Sequence, residues 1–151
     1  MRLARPEEAP LLAALVERAY APYVPVIGIC PLPMEDDYPA RIAAGQAWVL
    51  EEHGAILGLL VLEDAPDHLW LDNIAVEPAR HGAGIGQRLM RFVFEEAARR
   101  GRPEVRLMTN EKMSRNIGIY GRLGFTEYGR QEKLGRRAVL MRRPVGERRS
   151  P

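Results

Sequence analysis

Cysteine, histidine and lysine are all scarce in this 151-residue chain, and each scarcity excludes a kind of chemistry. A single cysteine, Cys30, can form neither an internal disulfide nor a cysteine-based zinc site. The three histidines, His53, His68 and His81, show no ligand spacing, so no metal is expected. Lysine occurs twice, Lys112 and Lys133, against 20 arginines, a bias to which no function is attached. Long apolar runs are missing too: none approaches the roughly 20 uncharged residues that a bilayer-spanning helix needs. The opening MRLARPEEAPLLAALVERAY sets acidic residues directly before its apolar stretch, unlike a secretory signal, and a cytoplasmic protein without membrane contact is expected. No Gly-x-x-x-x-Gly-Lys-Ser/Thr occurs, which excludes a Walker A site. No nucleic-acid-binding motif or extended basic run is present, so nucleic acid is not an expected partner.

With 46% hydrophobic and 28% charged residues, the chain suits one compact domain over 1–151 that buries roughly 70% of its unfolded surface. No linker or internal repeat divides it, and residues 144–151, ending in GERRSP, read as a charged tail. The net charge of +2 conceals a split. Residues 1–75 carry four basic and twelve acidic side chains, while 76–151 carry eighteen and eight. Surfaces of opposite sign near two different ligands are one consequence, because a cleft lined by one charge concentrates its opposite.

The periodicity predicts a mixed α/β fold. A short strand at Arg2–Arg5 precedes a helix opened by Pro6, Glu7 and Glu8, with Leu11, Leu12, Leu15, Val16 and Ala19 as its apolar face. Five prolines between Ala21 and Pro39 exclude a long helix and predict an ordered loop, the kind that covers binding sites. A short helix at Tyr38–Ala44 ends at Gly45. Strands at Ala47–Glu52 and Ala55–Glu63 flank a His53-Gly54 hairpin turn, and a third spans His68–Val76. A helix at Ile85–Arg100 turns Leu89, Phe92, Val93 and Ala97 inward and stops at Gly101 and Pro103. Then follow a strand at Glu104–Thr109, a helix at Arg115–Leu123, and closing strands at Phe125–Lys133 and Arg136–Arg143. Hairpins followed by strand-helix-strand imply antiparallel pairs plus one parallel crossover, covered by helices.

The most specific local signal is LWLDNIAV running through Glu77-Pro78 into Arg80-His81-Gly82-Ala83-Gly84-Ile85-Gly86-Gln87, which opens a helix. Free N–H groups and the positive end of the helix dipole attract an anion there, and glycines admit a phosphate close to the main chain. A Rossmann fingerprint would need glycine where Gln87 stands.

The segment His81-Gly82-Ala83-Gly84-Ile85-Gly86 resembles the acetyl-CoA loop of the GCN5-related N-acetyltransferase (GNAT) family, Gln/Arg-x-x-Gly-x-Gly/Ala, with His81 in place of the usual first residue. Asn73-Ile74-Ala75-Val76-x-Pro78 resembles the family's fourth strand and its exit, and Asn116-x-x-x-Tyr120-x-x-Leu123-Gly124-Phe125 its later helix-turn-strand. The resemblance covers about half the chain. It implies an acyl-CoA N-acyltransferase fold: a central, mostly antiparallel sheet, a splayed fourth and fifth strand, and helices on both faces. It also implies that Ile74, Ala75 and Val76 pair with the pantetheine arm of acetyl-CoA. The diphosphate would meet His81, Gly82, Ala83, Gly84, Ile85, Gly86 and Gln87, Arg80 would add charge, and a Val76 N–H would face the thioester oxygen.

Acetyl transfer to an amine needs a neutral nucleophile, a stabilised carbonyl oxygen and a proton for the departing thiolate. The resemblance gives Tyr120 that last role beside the cofactor, and an ordinary phenol is protonated at neutral pH. Asn116 either contacts cofactor or caps a helix, and Asn110 reads as a cap. The fifth strand carries Met108 where the family often has a base, which leaves Asp72 and Glu111 as candidate carboxylates. Tyr23, Met34, Asp37 and Tyr38, with neighbouring Tyr20 and Asp36, would receive the acceptor. Acid and aromatic groups favour a cationic amine, whereas Arg136 and Arg137 would favour an acceptor bearing a carboxylate. The expected activity is acetyl transfer from acetyl-CoA to a primary amine of a small molecule or peptide, by direct attack in a ternary complex. The alternative is a non-catalytic CoA-binding or regulatory module. Homodimers, frequent in the family, are a further expectation.

Overall fold

The computed structural model describes residues 1–80 and 82–146. Strand β1 (Arg2–Leu3) leads through a 3-10 turn (Pro6–Glu8) into α1 (Ala9–Tyr20). Short helices α2 (Val24–Ile27) and α3 (Tyr38–Ala43) precede β2 (Ala47–Glu52), β3 (Ala55–Asp64) and β4 (Leu69–Val76). Then come α4 (Ile85–Arg99), β5 (Glu104–Asn110), α5 (Ser114–Arg122), β6 (Thr126–Lys133) and β7 (Arg136–Pro144). The seven strands form one mixed sheet in the order β1-β2-β3-β4-β5-β7-β6. It is mostly antiparallel, with β4 and β5 parallel: Leu69, Trp70 and Leu71 stand opposite Val105, Arg106 and Leu107. The chain divides into two compact units, Met1–Glu63 with Asp72–Phe92 and Asp64–Leu71 with Val93–Pro151.

In the first unit, residue parity along β2 and β3 puts helices on both faces. Ala47, Val49, Leu59 and Val61 join Leu12, Leu15 and Val16 of α1 and Ile42 of α3 in one buried cluster. The alternate residues turn the other way, where Trp48 stacks on Phe92 of α4 at 5.0 Å and Gly58 lies under Leu89. A Cβ at Gly58 would sit 2.8 Å from Leu89 Cδ1, so glycine lets α4 approach β3. His53 and Gly54 both have positive φ, as a two-residue hairpin with the strands' twist requires. Leu11 was expected on the apolar face of α1 but is exposed, one position off the stripe of Leu12, Leu15 and Val16. The proline-rich stretch is also corrected: it coils into the 3-10 turn Ala21–Tyr23, α2 and the 3-10 turn Leu32–Glu35. Prolines in the first two positions of these turns give up an N–H that no helix uses there.

Glu8 clamps the start of this unit. It is 7% exposed, takes two hydrogen bonds from Arg2 at 2.8 and 2.7 Å, and accepts the Arg5 N–H at 2.8 Å. The Arg2 hydrogen bonds outweigh burial and hold its carboxyl at about 2. A depressed folded-state pKa contributes stability above the unfolded value near 4.5, and that contribution disappears as pH falls toward 2. Glu8→Gln is expected to lower unfolding free energy by about 1–3 kcal/mol at pH 7. Denaturant titrations at pH 7, 4 and 3 should show the difference from wild type shrinking with acid, and a constant difference would contradict the linkage.

In the second unit β5, β7 and β6 form an antiparallel sheet closed by a Leu134-Gly135 turn, both residues at positive φ. Glu96 of α4 is buried and holds Arg99 and Arg100, while Phe125 packs against Phe94 and Tyr120. The tail does not begin at 144: β7 includes Pro144, and the Val145 N–H donates to the Pro103 carbonyl at 2.8 Å. Residues 147–151 lie outside the described part of the chain.

Candidate functional site

Strand β4 alternates strictly. Leu69, Leu71, Asn73 and Ala75 are buried; Trp70, Asp72, Ile74 and Val76 are half-buried. Beyond Val76, the Glu77 N–H donates to the Leu57 carbonyl at 2.9 Å, and Arg18 grips the Glu77 carboxylate at 2.7 Å. This fixed exit leads into the 3-10 turn Pro78–Arg80 and the glycine segment.

Gly82 and Gly84 have φ of +84° and +77°, in the left-handed region that glycine enters without penalty. The Arg88 N–H donates to the Gly84 carbonyl at 3.1 Å, making Gly84 the cap of α4, and buried Ile85 anchors the first turn. Gly86 has no such backbone need. Among the described residues an added Cβ there would meet only Val76 Cγ2 at 3.8 Å, an ordinary contact, although glycine inside a helix costs roughly 0.5–1 kcal/mol relative to alanine. Among the described residues, neither backbone conformation nor packing requires glycine at 86. A ligand lying on the main chain would, and the N–H groups of the first turn lack intrahelical acceptors. The glycine segment therefore fits the diphosphate of an acyl-CoA. Arg80 and Arg88 supply positive charge nearby; Arg88 is paired with Glu52 and holds that carboxyl below its ordinary pKa. Ala83 and Gln87 are exposed, and His81 lies outside the described residues.

The residues expected to receive an acceptor fall into different settings. Tyr23 is half-buried and leans on Tyr20 at 6.3 Å, and Met34 is half-buried against the core cluster. Asp37 is exposed and caps α3, accepting the Ala40 N–H at 3.1 Å. Tyr38 corrects the expectation: at 3% exposure it is a core residue. Its hydroxyl donates to the Pro33 carbonyl at 2.5 Å and accepts from Asn73 Nδ2 at 3.2 Å, and burial followed by the Asp36 charge raises its pKa.

The Arg41 cluster escaped the sequence reading. Arg41 of α3 reaches Asp36 at 2.9 Å, Gln46 at 2.9 Å, Asp72 at 3.0 Å, and Glu63. Burial opposes the charge, but the bond to Glu63 and the charges of Asp72 and Asp36 outweigh it and raise the pKa of Arg41. The cluster ties the proline-rich segment to β3 and β4. A signal existed: Arg41 is the one Lys or Arg between Arg18 and Arg80, in a stretch rich in Asp and Glu. Asp72 is thus held by a guanidinium at 3.0 Å.

In the second unit, Tyr120 sits half-buried on α5 with its ring edge-on to Phe125 at 5.7 Å. Asn116 lies one turn earlier on the same helix and is half-buried. Asn110 Oδ1 accepts the Lys112 N–H at 2.9 Å and caps the turn before α5. Glu111 has contacts to Arg130 at 3.4 Å and Arg137 at 3.6 Å. Among the described residues, no group of three or more His, Cys, Asp or Glu side chains is placed to hold a metal ion. No helix among them is long and apolar enough to cross a membrane.

A mixed sheet whose fourth strand leads through a glycine-rich turn into a helix is the architecture this chain shares with solved acetyltransferase structures. Residues 43–127, more than half the chain, match the family model described as an acetyltransferase (GNAT) domain, and the chain belongs to that family. The mouse (Mus musculus) protein described as "Probable N-acetyltransferase family 8 member 5" is 30% identical over 98 residues, 61% of this chain and 43% of that protein. The chain spans less than half the length of the curated relatives it matches. Two solved structures share the fold. The ribosomal-protein-S18-alanine N-acetyltransferase from Escherichia coli superposes with a TM-score of 0.76 at 20% identity, covering 97% of this chain and 93% of that one. The PaiA N-acetyltransferase from Thermoplasma acidophilum, in complex with coenzyme A, gives 0.78 at 15% identity, covering 95% and 96%.

Proposed function

We propose that this chain transfers the acetyl group of acetyl-CoA to a primary amine of a small molecule or peptide, by direct attack in a ternary complex. The observation that carries this reading is Gly86, a glycine that neither its own conformation nor packing among the described residues needs, at the start of a helix fed by β4. The family match, which runs from the first unit into the second, supports one catalytic domain. A cytoplasmic, metal-independent enzyme completes the proposal.

Acetyl-CoA supplies the acetyl group as a thioester. Gly82–Gly86, with Ala83, Ile85, Gln87 and His81, hold the diphosphate, and the main chain of Ile74, Ala75 and Val76 aligns the pantetheine arm, with Asn116 contributing from α5. The Val76 N–H faces the carbonyl oxygen. As the amine nitrogen bonds to the acetyl carbon and the C–S bond breaks, a carboxylate base takes a proton from the nitrogen, Tyr120 gives its hydroxyl proton to the thiolate, and Tyr120 regains a proton from solvent before the next turnover. Tyr23, Met34 and Asp37 receive the acceptor, and Tyr38 acts from the core by holding Pro33. Of the two candidate bases we favour Glu111, whose guanidinium contacts are longer than the 3.0 Å bond from Arg41 to Asp72. Glu111→Gln is expected to lower kcat at least tenfold with little change in Tm, whereas Asp72→Asn should mainly lower Tm by breaking the Arg41 cluster. The reverse pattern would transfer the base to Asp72.

Free-thiol release from acetyl-CoA across a panel of amines tests the activity. Amine-dependent release is the expected result. Tight acetyl-CoA binding without release for any amine would favour the non-catalytic CoA-binding module.

A further inference from the structure

Asn73 is 2% exposed at an inward position of β4, where its neighbours in the alternation are Leu71 and Ala75. A buried amide is retained only when its polar atoms are satisfied, and two tyrosine hydroxyls from different elements do this. Tyr20, the last residue of α1, donates to Asn73 Oδ1 at 2.7 Å, and Asn73 Nδ2 donates to Tyr38 Oη at 3.2 Å. Tyr38 in turn donates to the Pro33 carbonyl at 2.5 Å. The Tyr20 hydroxyl also lies 3.2 Å from the carbonyl oxygen of Ile74.

A phenol has one proton, so Tyr20 serves one of these two acceptors at a time. A carbonyl has two lone pairs, so Ile74 can accept a second donor beside Tyr20, and that donor then strengthens the chain of bonds. Tyr38 touches the same amide but spends its proton on the Pro33 carbonyl, away from the β4 main chain, which makes it a built-in control. We propose that Tyr20 is a positioning residue for acetyl-CoA, acting through the Ile74 carbonyl, which it shares with the pantetheine arm. This rests on the acyl-CoA reading of β4. Because Tyr20 also bonds Asn73, the same hydroxyl connects cofactor alignment to the Tyr38–Pro33 end of the proline-rich segment.

The test compares Tyr20→Phe with Tyr38→Phe by calorimetric titration with acetyl-CoA and by thermal melting. Both variants delete a hydroxyl from one network, so both should lower Tm. Only Tyr20→Phe is expected to raise the acetyl-CoA Kd, by about 5- to 10-fold, the weight of one hydrogen bond; Tyr38→Phe should stay within twofold. Equal effects of the two, or no change for Tyr20→Phe, would overturn the proposal while wild-type binding leaves the acyl-CoA reading standing. Wild-type protein that binds no acetyl-CoA would remove both. Should Tyr20→Phe not fold, Cζ-13C-tyrosine spectra of Tyr120→Phe protein decide. A tyrosine resonance that moves on saturation with acetyl-CoA, but not in the same protein also carrying Tyr23→Phe, Tyr38→Phe and Tyr128→Phe, would contradict it, as would no shift at all; a shift that persists in that protein, where Tyr20 is the remaining tyrosine, supports it.

Discussion

Tyr120→Phe is expected to lower kcat by about 10²- to 10⁴-fold, the usual contribution of a positioned general acid, while the Kd for acetyl-CoA stays within about twofold. The ring is the part of Tyr120 that packs, edge-on against Phe125, and phenylalanine keeps it. A melting curve of the variant accompanies the kinetics, and the loss expected of the chemistry is that of the proton the hydroxyl supplies. Without that proton the sulfur must leave as a bare thiolate, a cost that falls on the transition state and not on binding. Single-turnover thiol release beside equilibrium titration separates the two quantities. A Tyr120→Phe enzyme with unchanged kcat would remove Tyr120 from the chemistry, and a variant that lost affinity in step with turnover would make it a binding residue.

The second large effect is at the glycine segment, where two substitutions act for different reasons. Gly84→Val puts a β-branched side chain at φ +77°, a conformation that costs an L-residue roughly 1–2 kcal/mol, and projects it beside the start of α4. The acetyl-CoA Kd is expected to rise at least 100-fold, with a lowered Tm. Gly86→Ala has no backbone penalty, since alanine is favoured over glycine in a helix by up to about 1 kcal/mol and, among the described residues, its Cβ meets only Val76 at 3.8 Å. Its Tm should hold or rise, while Kd rises at least tenfold because the methyl group occupies space kept for the diphosphate. Stability and affinity then move in opposite directions at one atom. Folded variants with wild-type affinity would make the segment an ordinary turn.

Local chemistry was legible in the sequence wherever one residue type decides the backbone. His53-Gly54 marks a hairpin because that turn needs two positive φ values, and Gly101 marks the end of α4 for a related reason. The Gly82–Gly86 segment could be placed between β4 and α4 from its flanking periodicity alone. What remained hidden depends on pairings distant in sequence. The proline-rich stretch reads as loop because proline breaks long helices, yet each proline at a first-turn position permits the short helical turns that form. Tyr38 among prolines and acids looks like a ligand contact; only the fold shows that Asn73, 35 residues away, draws its hydroxyl into the core. The pairing of Asp72 with Arg41, 31 residues earlier, is likewise visible only in the fold. Asn73 itself was noticed as part of a motif and not as the polar member of a buried alternation.

Calorimetric titration of the purified chain with acetyl-CoA, with ATP and NAD as controls, tests acyl-CoA binding most directly. Selective, saturable binding of acetyl-CoA that Gly86→Ala weakens without lowering Tm is the predicted result. A folded protein that binds no CoA species, or binds ATP and NAD equally well, would contradict it.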